Sequence, residues 1–256
     1  MSAVPAGLYV LEHEPYDEDA PIVVLIHGTM DRSAAFGRVI QRLGDLHVIV
    51  YDRRGYGRSA GAQPPATRLA DHAADLVALL DGRPATLVGH SYGGAVAMLV
   101  ADDHPELTRS LGVFEAPLPW MPWWQEEATG SAAWAAAGVS DPGDAVELFL
   151  RRTLGDAAWD ELPPPTQAAR RAEGPTFLAD LASLRDGQLF DPTSLGVPMV
   201  VGTGSQSPDY HRNGAGHLAD SVGTQVVEVD GGDHGSHTSH PDEFAAFVRR
   251  AVALAR

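Results

Sequence analysis

The sequence predicts an α/β protein: a doubly wound, mostly parallel sheet with an inserted helical lid. Apolar, β-branched runs alternate with segments of helical spacing as far as residue 115, which is typical of a parallel sheet covered by helices on both faces. A G-x-S-x-G sequence stands at residues 89–93, between one apolar run and the helical segment after it. Residues 116–192 carry Pro-rich connectors and helical segments but no strand-like run.

The apolar runs give the strands in chain order. Residues 7–11 are typical of an edge strand, and the continuous run at 21–26 is typical of a strand buried on both faces. Further strands are predicted at residues 46–51, 84–88, 110–114, 197–202 and 224–229. The loops that follow parallel strands meet at one edge of the sheet, where a site is expected.

Helices are predicted between these strands. Ser33 is a candidate N-cap for a helix to residue 43, and Thr67 opens a helix to residue 80 with apolar residues at helical spacing. Helices are also predicted at residues 95–101, 214–222 and 241–255. We therefore predict a core of residues 1–115 and 193–256, with residues 116–192 forming a lid over the carboxyl ends of the strands.

Composition excludes several classes of function. The net charge of −16 argues against nucleic-acid partners and anionic membranes, because both need a basic surface. The chain has no Cys, so it has no disulfide and no thiolate nucleophile, and all 18 of its basic residues are Arg, which excludes lysine Schiff-base chemistry. The N-terminal residues lack the pattern of a signal peptide, and no run of 18 apolar residues occurs, so we expect a cytoplasmic protein; its oligomeric state is left open.

Ser91 is the candidate nucleophile. It lies in Gly89-His90-Ser91-Tyr92-Gly93, with an apolar strand before it and a helix after it. A sharp turn between a strand and a helix exposes the serine hydroxyl at the top of a sheet, and it needs glycines on either side because side chains there would collide.

His234 is the candidate base for Ser91. It lies in the tight loop after the last predicted strand, where neighbouring glycines let the chain turn. A His-rich surface loop is the alternative. A metal site from Asp233, His234, His237 and His240 is a weaker one, since no supporting ligand pattern accompanies them. We expect no metal and no organic cofactor.

These motifs together resemble the α/β-hydrolase superfamily. They are His27-Gly28, Asp52-Arg53-Arg54-Gly55-Tyr56-Gly57-Arg58-Ser59, Gly89-His90-Ser91-Tyr92-Gly93-Gly94 and Gly232-Asp233-His234. The resemblance implies that the backbone N–H groups of Thr29 and Tyr92 form the oxyanion hole. It also implies that Arg54 and Gly55 stabilise a structural turn.

The acid of the triad departs from the commonest family pattern. Ser205 stands where many members of the superfamily carry Asp, and a serine has no charge to stabilise an imidazolium. Glu115, at the end of the strand after the nucleophile helix, is the favoured substitute, in a setting similar to that of some haloalkane dehalogenases. Asp209, four residues late on the usual loop, is the alternative. Asp233 adjoins His234 and would point away from it.

Every tryptophan of the chain falls in the predicted lid: Trp120, Trp123, Trp124, Trp134 and Trp159. The first three are candidates for an apolar wall over Ser91, suited to a hydrophobic acyl substrate. Packing of the lid against the core is the alternative, and it should cover at least some of them.

The resulting hypothesis is a serine hydrolase that cleaves a small apolar ester, lactone or related acyl substrate. Ser91 attacks, His234 transfers the proton, Glu115 orients His234, and the amides of Thr29 and Tyr92 hold the oxyanion. C–C bond hydrolysis, acyl transfer or perhydrolysis on the same triad is an alternative, as is a non-catalytic ligand-binding protein of the same fold. Epoxide hydrolase and dehalogenase chemistry is less favoured, because those relatives use Asp in place of Ser91.

Overall fold

The computed structural model describes residues 7–124 and 139–255, and a seven-stranded sheet runs through them. The strands lie in the order β1-β3-β2-β4-β5-β6-β7. Strand β1 pairs antiparallel with β3, and all other pairs are parallel. The strands are β1 Val10–His13, β2 Ile22–Ile26, β3 His47–Tyr51, β4 Ala85–His90, β5 Thr108–Phe114, β6 Met199–Gly204 and β7 Val226–Val229.

Helices cover both faces of this sheet. They are α1 Gly37–Ile40, α2 Leu69–Leu80, α3 Tyr92–Asp103, α4 Pro142–Leu154, α5 Asp156–Asp160, α6 Pro164–Ala172, α7 Gly174–Ser183, α8 Asp209–Ser221, α9 Ser236–Ser239 and α10 Pro241–Ala253. Helices α2, α3 and α8 share one hydrophobic core with the sheet, and α1 and α10 share another. The mostly parallel α/β fold predicted from the sequence is confirmed.

The central strands explain why the sequence reads as unbroken apolar runs. In β4, Leu87 faces the core under α2 and α3, whereas Val88 faces the core under α10. Val24 and Val23 of β2 divide between the two cores in the same way. A strand with a core on each face needs apolar residues at successive positions.

Two local predictions are wrong. Ser33 does not cap a helix: its N–H and its hydroxyl donate to Asp52 Oδ1 at 2.8 and 2.6 Å, so a 3₁₀ turn over Ser33–Phe36 precedes the short α1. The helix predicted to begin at residue 214 begins at Asp209, which follows Pro208 at the N-cap.

The described residues between β5 and β6 contain α4 to α7 and no strand. Pro164 and Pro165, expected in a stiff connector, instead open α6, where a proline is tolerated because the first helical N–H groups need no partner. Residues of these helices form a third hydrophobic cluster with Met30 and Tyr56 of the core. Trp134 lies outside the described residues. In the described part of the chain, no helix is long and apolar enough to cross a bilayer.

Candidate active site

Ser91 lies in a strained turn between β4 and α3. Its φ and ψ are 53° and −127°, which few residues other than glycine adopt, at a typical cost of about 1–3 kcal/mol. The turn is held by two hydrogen bonds: the Ser91 N–H donates to the Phe114 carbonyl at 2.8 Å, and the Gly94 N–H donates to the Ser91 carbonyl at 2.8 Å. The first bond places Ser91 beside the end of the neighbouring strand β5.

The glycines flanking Ser91 are required by close backbone contacts. A Cβ atom on Gly89 would lie 2.2 Å from the carbonyl oxygen of Gly93, and one on Gly93 would lie 2.2 Å from that of Ile26. Both obstacles are backbone atoms that cannot swing away. The collisions of side chains that the sequence predicted at these two positions are therefore present in the structure.

Glu115 and His234 form a hydrogen-bonded pair. His234 Nδ1 lies 2.6 Å from Glu115 Oε2, and the carboxylate side chain has no exposed surface. His234 also lies next to the nucleophile turn, since His90 Nε2, one residue before Ser91, donates to the His234 carbonyl at 2.7 Å. The structure thus joins two of the predicted triad residues directly and places the third in the adjoining turn.

The loop after β6 surrounds the other oxygen of Glu115. Oε1 accepts hydrogen bonds from the Thr203 hydroxyl at 2.7 Å, from the Gly204 N–H at 2.9 Å and from the Ser207 hydroxyl. Burial alone would raise the pKa of Glu115, but His234, His211 and the Ser207 hydroxyl hold it well below its usual range, so the carboxylate is charged. Glu115 has a φ of 48°, a second strained non-glycine residue at the same edge of the sheet.

The alternative acids face elsewhere. Asp209 is 79% exposed and pairs with Arg212, which follows it by one helical turn. Ser205 uses its hydroxyl to accept the Gly231 N–H at 2.8 Å, so it supports the loop before His234. Asp233 accepts the N–H of Gly235 at 2.8 Å. Among these carboxylates, Glu115 is the one that contacts His234.

His211 stacks on His234, and nothing in the sequence analysis had selected it. The two imidazole rings are 4.2 Å apart at 8°, and His211 Nδ1 lies 3.8 Å from Glu115 Oε2. Burial and the neighbouring His234 lower the pKa of His211 to about 3, so the His211 ring is neutral. It covers one face of the base without adding a competing charge. The helix that carries His211 was predicted to begin at residue 214, so the prediction left His211 outside it.

Two groups in this region combine ring nitrogens with a carboxylate and could hold a metal ion. They are Glu115 with His211 and His234, and Asp31 with His90 and His237. Hydrogen bonds already join members of each group, since His237 Nε2 lies 2.9 Å from Asp31 Oδ2 and His234 bonds Glu115. The set of four residues weighed from the sequence is not among these groups.

The residues expected to form the oxyanion hole come from the loop after β2 and from the turn that carries Ser91. Thr29 follows β2, and Tyr92 is the first residue of α3, where backbone N–H groups have no helical partner. Gly28 approaches the nucleophile so closely that a Cβ on it would lie 2.8 Å from that of Ser91. The loop after β2 therefore lies directly against the turn that carries Ser91.

Comparison with known proteins identifies the family. A model described as the alpha/beta hydrolase family matches residues 23–247. The chain is an α/β hydrolase. The lipase LipV of Mycobacterium tuberculosis is 29% identical over 167 residues, which are 64% of this hydrolase and 61% of the lipase. Epoxide hydrolase B of the same organism is 32% identical over 118 residues, 44% of this chain and 33% of that enzyme.

This hydrolase therefore spans less than two thirds of the length of either curated relative. Among solved structures, an enol-lactonase from Burkholderia xenovorans matches with a TM-score of 0.72 at 19% identity, covering 98% of this chain and 99% of that one. An identity this low shows the fold alone. The family model, which covers most of the chain, establishes that the chain belongs to the alpha/beta hydrolase family.

The tryptophans divide into two groups in the hydrolase. Trp159 is 1% exposed in the third hydrophobic cluster, so it is a packing residue. Trp120 donates its indole N–H to the Phe190 carbonyl at 3.0 Å and packs against the core. Trp123 instead stacks on His217 of α8, and Trp124 packs against Gly214 of the same helix.

The indole N–H groups of Trp123 and Trp124 are buried without a hydrogen-bond partner among the described residues. The helix face that they cover continues one turn toward the amino end of α8 to His211. These two side chains remain the candidates for an acyl-chain wall.

Asp180 of helix α7, in the segment between β5 and β6, is the other residue that sequence reasoning missed. Its carboxylate is 1% exposed and forms an ion pair with Arg53, which is fully buried, at 2.7 Å. The sequence indicates this ion pair only in part. Arg53 follows a buried strand and Asp180 interrupts an apolar helix, so each residue needs a partner of opposite charge. Their separation of 127 residues left the partner unidentified.

Proposed function

We propose that this hydrolase cleaves a small apolar ester, lactone or related acyl compound through an acyl-enzyme on Ser91. The observation that carries the proposal is the buried Glu115 carboxylate bonded to His234 Nδ1 at 2.6 Å, beside a serine held in a strained turn. A carboxylate that receives Nδ1–H leaves Nε2 without a proton, which is the state a general base needs.

The reaction proceeds by two acyl transfers. Ser91 Oγ attacks the substrate carbonyl carbon as its proton moves to His234 Nε2, and the negative charge on the carbonyl oxygen is held by the amides of Thr29 and Tyr92. The intermediate collapses, and the leaving alcohol takes the proton from His234. Water then attacks the acyl carbon while His234 takes one of its protons. The second tetrahedral intermediate collapses with loss of Ser91 Oγ, which takes that proton back from His234, and the carboxylic acid is released.

The charge of Glu115 stabilises the imidazolium that forms in both steps. Because the pKa of Glu115 is held below its usual range, the carboxylate stays ionised while His234 cycles. The neutral His211 ring excludes water from one face of the base. No residue from another molecule is required for this sequence of steps.

Two features support an apolar acyl substrate. Trp123 and Trp124 pack against α8. One relative is named a lipase, and a structural relative is named an enol-lactonase. The net charge of −16 disfavours polyanionic substrates.

The test is turnover of p-nitrophenyl acetate, butyrate and octanoate and of a small lactone, with Ser91→Ala as the inactive reference. We expect hydrolysis of the esters by the wild type and none above background by Ser91→Ala. Equal rates in the two proteins would contradict the proposal. Cleavage of a 1,3-diketone without ester turnover would instead favour the C–C hydrolase alternative.

The tryptophan wall has its own test within that panel. Trp123→Ala and Trp124→Ala should each lower kcat/KM for octanoate by about tenfold while leaving acetate nearly unchanged, since a few buried methylenes contribute about 0.8 kcal/mol each. Leu154→Ala, a change at an exposed residue of lid helix α4, serves as the control. Equal losses for acetate and octanoate would make the tryptophans packing residues.

A further inference from the structure

Lid helix α7 contacts both residues of the expected oxyanion hole. The Thr29 hydroxyl donates to Asp180 Oδ2 at 2.8 Å. The Tyr92 hydroxyl lies 2.8 Å from Ser183 Oγ, and Ser183 Oγ donates its only proton to the Asp180 carbonyl at 2.8 Å. The Tyr92 hydroxyl is therefore the donor to Ser183. Two residues one turn apart on a single helix thus hold the side chains of the two residues expected to form the oxyanion hole.

Asp180 also fixes the main chain of the oxyanion loop through Arg53. The guanidinium pairs with both oxygens of Asp180, at 2.7 and 3.3 Å. Its remaining N–H groups donate to the carbonyl oxygens of His27 at 3.1 Å and Gly28 at 3.2 Å, and it lies 4.4 Å from the centre of the Tyr92 ring. An Arg without its carboxylate could not stay in this position, because it is fully buried.

The carboxylate of Asp180 is satisfied by donors on all sides. Tyr56 Oη and His72 Nε2 complete the set at 2.8 and 3.2 Å. Burial by itself would raise the pKa of Asp180, but the Arg53 charge and the His72 hydrogen bond hold it well below the usual range. Burial and Arg53 lower the pKa of His72, so its ring is neutral and the cluster carries one positive and one negative charge.

A second lid helix holds the residue after Thr29. Met30 has a φ of 60°, an unfavourable conformation for a side chain of its size, and its carbonyl accepts from Arg170 of α6 at 3.1 Å. Its side chain is buried in the cluster formed with α4, α5 and α7. The backbone strain at Met30 therefore persists because the lid constrains it on both sides.

We propose that Asp180 is a positioning residue that sets the oxyanion hole from the lid, so that turnover requires α7 to be seated on the core. The proposal rests on the function proposed above. It assigns to the lid a role in catalysis itself, in addition to covering the substrate. Thr29 is the point of contact: its backbone N–H is an expected oxyanion donor, and its hydroxyl donates a hydrogen bond to Asp180.

The test removes the hydrogen bond between Thr29 and Asp180 and leaves the buried ion pair of Asp180 with Arg53 in place. Thr29→Val keeps the shape and the backbone N–H, and it lacks only the hydroxyl that reaches Asp180. We expect kcat for p-nitrophenyl butyrate to fall about tenfold with KM nearly unchanged, as a misplaced donor loses part of the 10²–10³-fold that one oxyanion donor contributes. Thr29→Ser should restore the wild-type kcat.

A second readout separates positioning from general stability. Affinity for a trifluoromethyl ketone, whose adduct carries the oxyanion, should fall in Thr29→Val by the same factor as kcat. Thr153→Val is the matched control, since that threonine lies on lid helix α4 and bonds the Phe149 carbonyl of its own helix. Folded Asp180→Asn and Tyr92→Phe variants should also lose kcat and ketone affinity by equal factors.

Wild-type kcat and wild-type ketone affinity in Thr29→Val would overturn the role of Asp180. So would a lower melting temperature in Thr29→Val with kcat unchanged, because it would indicate a structural role only. A wild type without ester turnover or covalent labelling would instead refute the proposed function, and the role of Asp180 with it.

Discussion

Replacing Glu115 by glutamine keeps the shape of the side chain and removes its charge. Three donors, the Thr203 hydroxyl, the Gly204 N–H and the Ser207 hydroxyl, face Oε1, so the amide oxygen should remain on that side. The NH₂ group must then face His234 Nδ1. An NH₂ group cannot accept a hydrogen bond, so His234 must carry its proton on Nε2 instead.

A proton on Nε2 prevents His234 from accepting the proton of Ser91. The same tautomer change in a serine protease triad lowers kcat about 10⁴-fold, which corresponds to about 5.4 kcal/mol at 1.36 kcal/mol per factor of ten. We expect Glu115→Gln to lower kcat for p-nitrophenyl butyrate by about 10³- to 10⁴-fold, with KM changed by less than threefold. Steady-state kinetics on protein with a verified melting temperature provides the measurement.

Asp209→Asn is the matched control for this change. Asp209 is 79% exposed and bonds Arg212 rather than His234, so kcat should stay within about twofold of wild type. If Asp209→Asn loses kcat and Glu115→Gln retains it, the assignment of the triad acid to Glu115 is wrong.

Two further predictions concern the stability of the fold. Burial, together with Arg53, lowers the pKa of His27 to about 4, and burial together with His234 lowers that of His211 to about 3, so the unfolded chain binds protons there that the folded chain does not. The unfolding free energy should therefore fall as the pH drops below about 6.5, and by pH 5 each of the two histidines should lower it by about 2 kcal/mol. Equal urea midpoints at pH 7 and pH 5 would contradict this prediction. Gly93→Ala should lower the melting temperature by roughly 6–12 °C, because the added methyl clashes with the backbone of β2 at a cost of about 3 kcal/mol. Gly37→Ala, at a helical position with open space around it, should not lower the melting temperature. An equal effect of the two changes would show that the protein relieves the clash at Gly93.

The positions of the strands along the chain and the turn that carries Ser91 could be predicted because both depend on local sequence. A buried parallel strand needs consecutive apolar residues, and the turn at Ser91 needs glycines where backbones meet. Glu115 could be selected for a related reason: a carboxylate that ends an apolar strand needs a partner, and the strand beside that of Ser91 brings it close.

The contacts of the lid could not be predicted in the same way. Asp180 meets Arg53 across 127 residues, and no periodicity in the sequence encodes that pairing. His211 was hidden because α8 begins at Asp209, earlier than its glycine-rich sequence indicates. Both residues act through tertiary contacts, and those are decided by how α7 and α8 dock on the sheet.

The central claim is that Ser91 is a nucleophile activated by His234. Treatment with a fluorophosphonate probe, followed by intact-mass and peptide mass spectrometry, tests it most directly. We expect one adduct per chain on the peptide that contains Ser91, no adduct in Ser91→Ala, and much slower labelling in His234→Gln. A wild type that stays unmodified, or a Ser91→Ala variant that labels as fast as the wild type, would contradict the account.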